Sequence, residues 1–104
     1  MICEIVRFAV RPGTTREQVL EDARKVAPRW RAEENLIRKH FLFDGEAEAL
    51  GIYLWKDRNS AEAAHDKDWR NRVTEIHGSE PSIEYHDTLM IVDNVTGTVT
   101  EYEP

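Results

Sequence analysis

His65 and Trp69 are the two residues whose types and spacing most suggest chemistry. They are four positions apart, so on an α-helix they project from the same face. An imidazole titrates near neutral pH and can take a proton from a phenol, and an indole can stack on the ring of a bound substrate. The alternative is a structural histidine, hydrogen-bonded to a backbone carbonyl or to Asp68. Because most buried histidines are not catalytic, the structural alternative is favoured.

Three basic side chains interrupt predicted strands and are further candidates for the site. Lys39 and His40 are adjacent, so they point to opposite faces of one strand, and Arg7 lies in the first strand. If the sheet is buried on both sides, a charge inside it needs a partner. Lys39 or Arg7 could hold a phenolate or a carboxylate, or could pair with an acid such as Glu84 or Asp87. The ion-pair alternative is modestly favoured.

Aromatic residues with polar tips provide candidate substrate contacts. Tyr53, Trp55 and Tyr85 join Trp69 in this group. Such residues line ligand pockets, but they occupy cores and dimer interfaces more often. His86 could face a partner subunit. His77, beside Gly78, is predicted to cap a helix end and to complement its dipole.

The sequence predicts no metal site and no cofactor site. The four histidines lie on different predicted elements, and Cys3 is the single cysteine, so no short ligand spacing occurs. No phosphate-cradling glycine-rich loop is present. The lone thiol, in an apolar first strand, is interpreted as buried and inert.

The element that must position these residues is a β-hairpin spanning residues 36–56. Asp44-Gly45 is a strong turn signal, and the predicted strands 36–43 and 49–56 flank it. Both strands carry large apolar side chains on both faces, which predicts burial on both sides of the sheet. The chain's own helices can cover one face. A second copy of the chain is the simplest cover for the other.

Four further segments complete the predicted fold. A strand at 2–10 and a helix at 14–31 precede the hairpin, and a helix ending at Gly78 and a strand at 82–92 follow it. The order β-α-β-β-α-β predicts an α+β, ferredoxin-like antiparallel sheet with two helices on one face and strand order 4-1-3-2. Pairing of the uncovered faces would give a homodimeric barrel. We expect residues 1–94 to form this domain and residues 95–104 to form a tail or an edge strand.

Local signals place the helix ends. Thr14 followed by Glu17 matches a capping box for the first helix. Asn59 or Ser60 is predicted to cap the second helix, which is expected to run unbroken to Gly78 unless the charged residues 66–68 mark a bend.

Composition limits the classes of partner. The 104 residues carry a formal net charge of −6, which argues against nucleic-acid or anionic-membrane binding. The one basic run, between residues 24 and 31, is interpreted as the solvated face of a helix. No apolar run approaches the roughly 20 residues needed to span a bilayer, and no signal peptide precedes the first strand. We therefore expect a cytoplasmic protein.

The segments LIRKHFLF, GIYLWKDRNSAEAA and PSIEYHDTLMIVDN, together with Trp69, resemble the YdhR-like monooxygenases. These belong to the dimeric α+β barrel superfamily, alongside the antibiotic-biosynthesis-type monooxygenases. The resemblance implies a homodimer with a small pocket between sheet and helices. It also implies oxidation of phenolic compounds by dioxygen without metal or flavin in some members. Leu50 stands where related sequences often have a second glycine before Gly51, which predicts a narrower cavity.

Haem degradation, another activity of this superfamily, is disfavoured. Haem-degrading relatives use an asparagine in the first strand, whereas this sequence has Arg7 in that region and no asparagine before Asn35.

The first functional hypothesis is a cofactor-independent monooxygenase that acts on a small aromatic or phenolic compound. His65 would be the base, Trp69 and Tyr53 would position the ring, and Lys39 or Arg7 would stabilise developing negative charge. The alternatives are a non-catalytic small-molecule-binding or stress-related dimeric barrel, and a different reaction on the same scaffold, since fold does not determine function.

Overall fold

A computed structural model describes residues 1–104 of the chain as one α+β unit. Its elements, in chain order, are β1 Ile2–Ala9, α1 Arg16–Arg31, β2 Leu36–Phe43, β3 Glu48–Trp55, α2 Arg58–Ala64, α3 Lys67–His77, β4 Ser82–Asp87, β5 Met90–Asp93 and β6 Thr98–Glu101. No helix is long and apolar enough to cross a membrane.

The main sheet is antiparallel with strand order β2-β3-β1-β4, which confirms the predicted fold class and strand order. The register places Glu4 of β1 between Tyr53 of β3 and Tyr85 of β4. Lys39 of β2 lies on the other side of Tyr53. Because directly paired residues point to the same face, these four side chains share one face of the sheet.

The hydrophobic core lies between this face and the helices. Each helix contributes small or aromatic residues that pack on β1 and β3; the core comprises Val6, Trp30, Tyr53, Trp55, Ala61, Ala64 and Trp69. Burial alternates along β3, with every second side chain fully covered by the helices. We call this side the helix-covered face.

The opposite side of the sheet, which we call the bare face, carries Cys3, Ile5, Leu42, Leu50, Ile52 and Leu54. These side chains are partly buried at best, and Leu42 is 39% exposed. The prediction of burial on both sides therefore holds for only one face within a single chain. A hollow of about 210 Å³ lies on the bare face, where Ile91 of β5 meets Ile52 and Leu54.

The second predicted helix is not continuous to Gly78, and it breaks at the charged segment 66–68, the alternative that the sequence left open. Helix α2 ends at Ala64 and α3 begins at Lys67. His65 adopts non-helical backbone angles (φ −116°, ψ 52°), and the Asp66 side chain accepts a hydrogen bond from the Trp69 amide. A carboxylate that caps a new helix competes with continuation of the preceding one, so the break falls in the charged segment.

The helix caps lie near the predicted positions but not at them. Thr15 caps α1 in a reciprocal capping box with Gln18, whereas the sequence suggested Thr14 with Glu17. The Thr14 hydroxyl instead donates to the carbonyl of Arg11 in the preceding turn.

Asp57 caps α2, in place of the predicted Asn59 or Ser60. Its carboxylate accepts hydrogen bonds from both the amide and the hydroxyl of Ser60, and a carboxylate is the stronger acceptor.

The predicted strand over residues 82–92 was also too long. β4 ends at Asp87, and the Thr88 amide donates to the carbonyl of Met1. The chain then forms a separate β5–β6 hairpin. Asp93 stabilises its turn by accepting hydrogen bonds from the amides of Val95 and Thr96. Backbone pairing of residues 90–93 with 98–101 thus replaces continuation of the main sheet.

Candidate functional site

A cavity of about 720 Å³ lies between α1, α3 and the helix-covered face of the sheet. Small-molecule sites commonly occupy about 300–1,000 Å³, so this space is large enough for a ligand with several rings. The cavity exists because the helix residues that face the sheet at this point are small. Small and branched residues such as Val19, Ala23 and Val73 face the sheet, where larger side chains would fill the gap.

Aromatic rings form the walls of the cavity: Phe8, Trp30, Phe41, Tyr53 and Trp69. The Trp30 and Tyr53 rings meet edge to face, with centroids 5.1 Å apart. Edge-to-face packing of this kind holds both rings in a defined orientation. A flat aromatic ligand would therefore find rigid apolar surfaces on several sides.

Gly51 controls the position of Tyr53 on the cavity wall. A Cβ atom at this position would lie 2.8 Å from Cε1 of the Tyr53 ring, closer than real contacts allow. The ring thus lies over bare strand backbone, a close approach that glycine permits.

Lys39 is the cavity residue with the most unusual environment. Its Nζ atom lies 3.8 Å from the Phe41 ring centroid, 4.4 Å from that of Trp30 and 4.5 Å from that of Tyr53. Burial lowers the pKa of the Lys39 ammonium to about 7, the nearby Arg29 guanidinium also lowers it, and the Glu4 carboxylate opposes this shift. The Lys39 amine is therefore poised between its charged and neutral forms near neutral pH.

No ion pair involves Lys39, so the predicted pairing with Glu84 or Asp87 was wrong. The physical reason is the strand order. Both acids lie on β4, and β3 and β1 separate that strand from β2. Cation–π contacts with the surrounding rings take the place of a carboxylate partner.

A second polar cluster lies behind the cavity wall, completely buried. The Trp55 indole Nε1 donates to Oε1 of Glu4 over 2.9 Å, and Nδ1 of His65 lies 2.9 Å from Oε2 of Glu4. Glu4 is 0% exposed and His65 is 1% exposed. The two atoms are at ion-pair distance without forming a hydrogen bond, and Nε2 of His65 has no hydrogen-bond partner either. We call Glu4, Trp55 and His65 the buried cluster.

His65 is screened from the cavity by aromatic rings. Its ring centroid lies 4.4 Å from that of Trp69, 4.8 Å from that of Tyr53 and 5.2 Å from that of Trp30. These three rings line the cavity, whereas His65 does not. His65 and Trp69 are therefore in contact, but across a helix break, and the acid beside His65 is Glu4 rather than Asp68.

The Tyr53 ring lines the cavity and also contacts His65 of the buried cluster. Burial raises the pKa of Tyr53, and the negative charge of Glu4 raises it further. The hydroxyl therefore remains protonated across the physiological range and can act as a hydrogen-bond donor rather than as a base.

Three other sequence candidates lie outside the cavity. Trp55 belongs to the buried cluster. Arg7 points to the bare face, where it forms an ion pair with Glu84, as the favoured alternative predicted. Tyr85 is half-buried beneath the guanidinium of Arg58, 4.6 Å from its ring centroid, and burial raises the pKa of its phenol. The structure thus brings together Lys39, Tyr53 and Trp69 at the cavity but not these three.

Several charged residues around the cavity were missed by the sequence analysis. Arg11, Lys25, Arg29 and Arg72, which we call the rim cations, are exposed and line the cavity, and Asp22 is the one acid among the lining residues. The basic run of α1 is therefore not simply a solvated face. The spacing of Lys25 and Arg29, one helical turn apart beside Trp30, is the signal that could have indicated this.

His77 was also missed as a cavity residue. It is the last residue of α3 and its ring lies 4.6 Å from the Phe8 ring, both at the cavity wall. Burial lowers the pKa of His77; Asp22 raises it and Arg11 lowers it. No group of three or more His, Cys, Asp or Glu side chains in the chain has the arrangement of a metal site.

The fold is similar to those of several solved proteins. An antibiotic biosynthesis monooxygenase has a TM-score of 0.64 at 17% identity, and the match covers 85% of this chain and 98% of that one. Rv0793 from Mycobacterium tuberculosis has a TM-score of 0.62 at 19% identity, with 85% and 94% covered.

A mutant of SnoaB, a cofactor-independent oxygenase from Streptomyces nogalater, has a TM-score of 0.58 at 13% identity, with 84% of this chain and 91% of that chain covered. No protein-family model and no curated protein matches the sequence. These likenesses establish a shared fold, and the YdhR-like grouping stays a prediction.

Proposed function

We propose that the protein is a cofactor-independent monooxygenase that oxidises a small aromatic or phenolic compound with dioxygen. The observation that carries the proposal is an amine with a pKa of about 7, without an acidic partner, inside a cavity walled by aromatic rings. The similarity of the fold to a cofactor-independent oxygenase supports this class of reaction.

The proposed reaction uses the substrate as its own source of electrons. Removal of a proton from an anthrone-like compound, which has a methylene between two rings, gives a stabilised carbanion. The carbanion transfers electrons to dioxygen and forms a C–O bond, and protonation yields a hydroperoxide. Loss of water from this hydroperoxide leaves a ketone, so one oxygen atom enters the product and the other leaves as water. The protein needs only to promote proton removal and to shelter the anion from water.

Lys39 is the residue that we place in direct contact with the substrate. Near neutral pH a substantial share of its side chain is the neutral amine, which can accept the proton from the substrate. The ammonium formed by this transfer then lies beside the new anion and stabilises it in a poorly solvated space. Tyr53 donates a hydrogen bond to a substrate oxygen, and Trp69 and Trp30 hold the ring.

We assign His65 a positioning role instead of the base role suggested by its sequence context. Three rings lie between it and the cavity, so it does not touch a ligand there. Its contacts with Tyr53 and Trp69, and its proximity to Glu4, hold these cavity rings in place.

Oxygen uptake tests the proposal. Chelator-treated protein is supplied with a panel of anthrone-like and hydroquinone-like phenols, and uptake is measured beside the variant Lys39→Met. The control Lys56→Met removes an exposed lysine that directly follows β3, and with it the same unit of charge. We expect uptake by the wild type and by the control, with a loss of about 100-fold or more in Lys39→Met, the usual contribution of a general base.

The pH profile provides an independent check on the same residue. Because Lys39 accepts a proton only when neutral, the rate should rise with pH through about 7 and then level off. A rate that does not change over this range, or equal rates for Lys39→Met and wild type, would remove Lys39 from the mechanism. Tight binding of the phenols without any uptake would instead favour the non-catalytic binding protein.

We also propose that the bare face forms a homodimer interface. The face presents a cluster of apolar side chains, including Leu42, Ile52 and Leu54, that no element of the same chain covers completely. Analytical ultracentrifugation should find a dimer in the wild type. Ile52→Arg, which introduces an unpaired charge among the apolar side chains of this face, should yield a monomer.

A further inference from the structure

The charges of the cavity differ in sign from those of the whole chain. The protein has a formal net charge of −6, yet the charged residues lining the cavity are Lys39, the four rim cations and the single acid Asp22. A neutral substrate would make no use of this arrangement. A low-dielectric cleft lined by charges of one sign concentrates ligands of the opposite sign.

The cations that line the cavity have no carboxylate partners. Neither Lys39 nor any rim cation lies within 4.0 Å of a carboxylate, whereas Arg7, Arg24, Arg38 and Arg58 each do. The chain is rich in acidic residues, yet none of them neutralises the five cations that surround the cavity.

Arg29 is the central member of the rim. Its guanidinium carbon lies 4.3 Å from the Trp30 ring centroid, and Nζ of Lys39 lies 4.4 Å from the same ring. One Arg29 nitrogen donates to the carbonyl of Ala64 over 2.9 Å, which fixes the side chain and leaves its other donors available. Two cations on one indole, with no acid between them, repel each other, and an anion bound beside them would relieve this repulsion.

We propose that the substrate carries a permanent negative charge, most simply an aromatic carboxylate, and that Arg29 with the neighbouring rim cation Lys25 holds this group at the cavity mouth. The inference rests on the proposed function only in placing the aromatic core against Trp30 and Tyr53. Lys39, deeper in the cavity, stays available for the proton of the reacting carbon or phenol. Arg29 and Lys25 thus bind the anionic group of the substrate, and Lys39 carries out the proton transfer.

A pair of matched probes tests the inference without any turnover. Naphthalene-2-carboxylate and naphthalene-2-carboxamide have nearly the same shape, and only the first is charged at pH 7. Their affinities are measured by calorimetric titration. We expect the carboxylate to bind about tenfold more tightly or better, since a charge-assisted hydrogen bond is about twice as strong as a neutral one.

Three variants locate the preference on the protein. Arg29→Gln should reduce the carboxylate preference to about twofold or less, while Arg31→Gln, an exposed change of the same charge on the same helix outside the cavity lining, should leave it intact. Lys25→Gln should lower it by about threefold. Lys25 forms no ion pair with any carboxylate, so this variant remains informative if Arg29→Gln unfolds.

The outcomes separate this inference from the proposed function. Equal affinity for the two probes, binding of neither, or a preference that survives both Arg29→Gln and Lys25→Gln would overturn it. None of these results depends on oxygen uptake. A strong carboxylate preference in a protein that consumes no oxygen would support the anionic ligand and reject the oxygenase.

Discussion

The cavity and the buried cluster lie on opposite sides of the same aromatic wall, formed by Trp30, Tyr53 and Trp69. Both regions contain charged side chains within an otherwise apolar interior, where burial of a charge is unfavourable. In the buried cluster, the Glu4 carboxylate accepts a hydrogen bond from the Trp55 indole N–H and lies at ion-pair distance from His65. In the cavity, the Lys39 ammonium contacts three aromatic faces and forms no ion pair.

A buried polar group with partners from the same chain stabilises the fold, whereas one without such partners is available to a ligand. Partners supplied by the chain itself make a polar group part of the structure, and its removal leaves other groups unsatisfied. A charge left without a partner beside open space costs stability, and it can recover that cost when a ligand supplies the partner. Substitutions in the buried cluster should therefore lower the free energy of unfolding. Substitution of the unpaired cation in the cavity should impair ligand binding or turnover without lowering the stability.

The largest effect on stability is expected from Glu4→Ala. This change leaves the Trp55 N–H and His65 buried without their acid, and breaking a buried pair costs about 3–5 kcal/mol. Urea unfolding followed by circular dichroism measures the loss. The control Glu17→Ala breaks an exposed ion pair with Arg24 and should change the stability far less, because solvent screens exposed pairs. A loss below about 1 kcal/mol in Glu4→Ala would mean that the two regions do not differ as described.

Gly51→Ala should push the Tyr53 ring out of the wall. The new Cβ would lie 2.8 Å from that ring, and overpacking of this kind costs about 1–3 kcal/mol. This outweighs the usual gain of about 0.5–1 kcal/mol when alanine replaces glycine inside a strand. Combining the change with Tyr53→Leu should remove most of the penalty, which a double-mutant cycle would detect. An additive result would show that the ring does not depend on Gly51.

Lys39→Met should change how stability depends on pH. The pKa of Lys39 is about 7 in the folded state and near 10.5 when unfolded, so between these values the unfolded state binds the extra proton. Stability of the wild type therefore rises with pH over this range, by about 2 kcal/mol between pH 7 and 9 from this group. Lys39→Met should lack this rise and should be at least as stable as the wild type at pH 7.

Urea midpoints at several pH values test this prediction, with Lys56→Met as the control for the loss of an exposed charge. The charged groups whose effects on Lys39 are resolved are Arg29 from α1 and Glu4 from β1, and neither is altered in these variants. Parallel pH curves for wild type and Lys39→Met would contradict the lowered pKa.

Arg7→Ala should have the smallest effect. Its ion pair with Glu84 is partly exposed on the bare face, where solvent screening leaves such pairs with little effect on stability. Because Arg7 lies on the opposite side of the sheet from the cavity, binding of naphthalene-2-carboxylate should be unchanged. A clear loss of binding would show that the bare face contributes to the site.

The site was only partly predictable, and the residues show why. Lys39, Tyr53 and Trp69 were recognised as candidates because polar or amphipathic residues in apolar segments are visible in a sequence. Arg29 and Arg72 were not recognised, since surface cations on a helix have the same pattern whether they face solvent or a cavity mouth. His65 was assigned a helical face, but the backbone leaves the helix there because Asp66 caps the next one.

The sequence by itself determined the fold class, the strand order and the central hairpin, because local turn chemistry and hydrophobic periodicity act over a few residues. Only the tertiary structure decided that Glu4, rather than a neighbour in sequence, lies beside His65, and that Lys39 has no acid within reach. Those pairings depend on which strands become adjacent and on the rotation of each side chain in the packed interior. Both are properties of long-range packing, and no local pattern of residues encodes them.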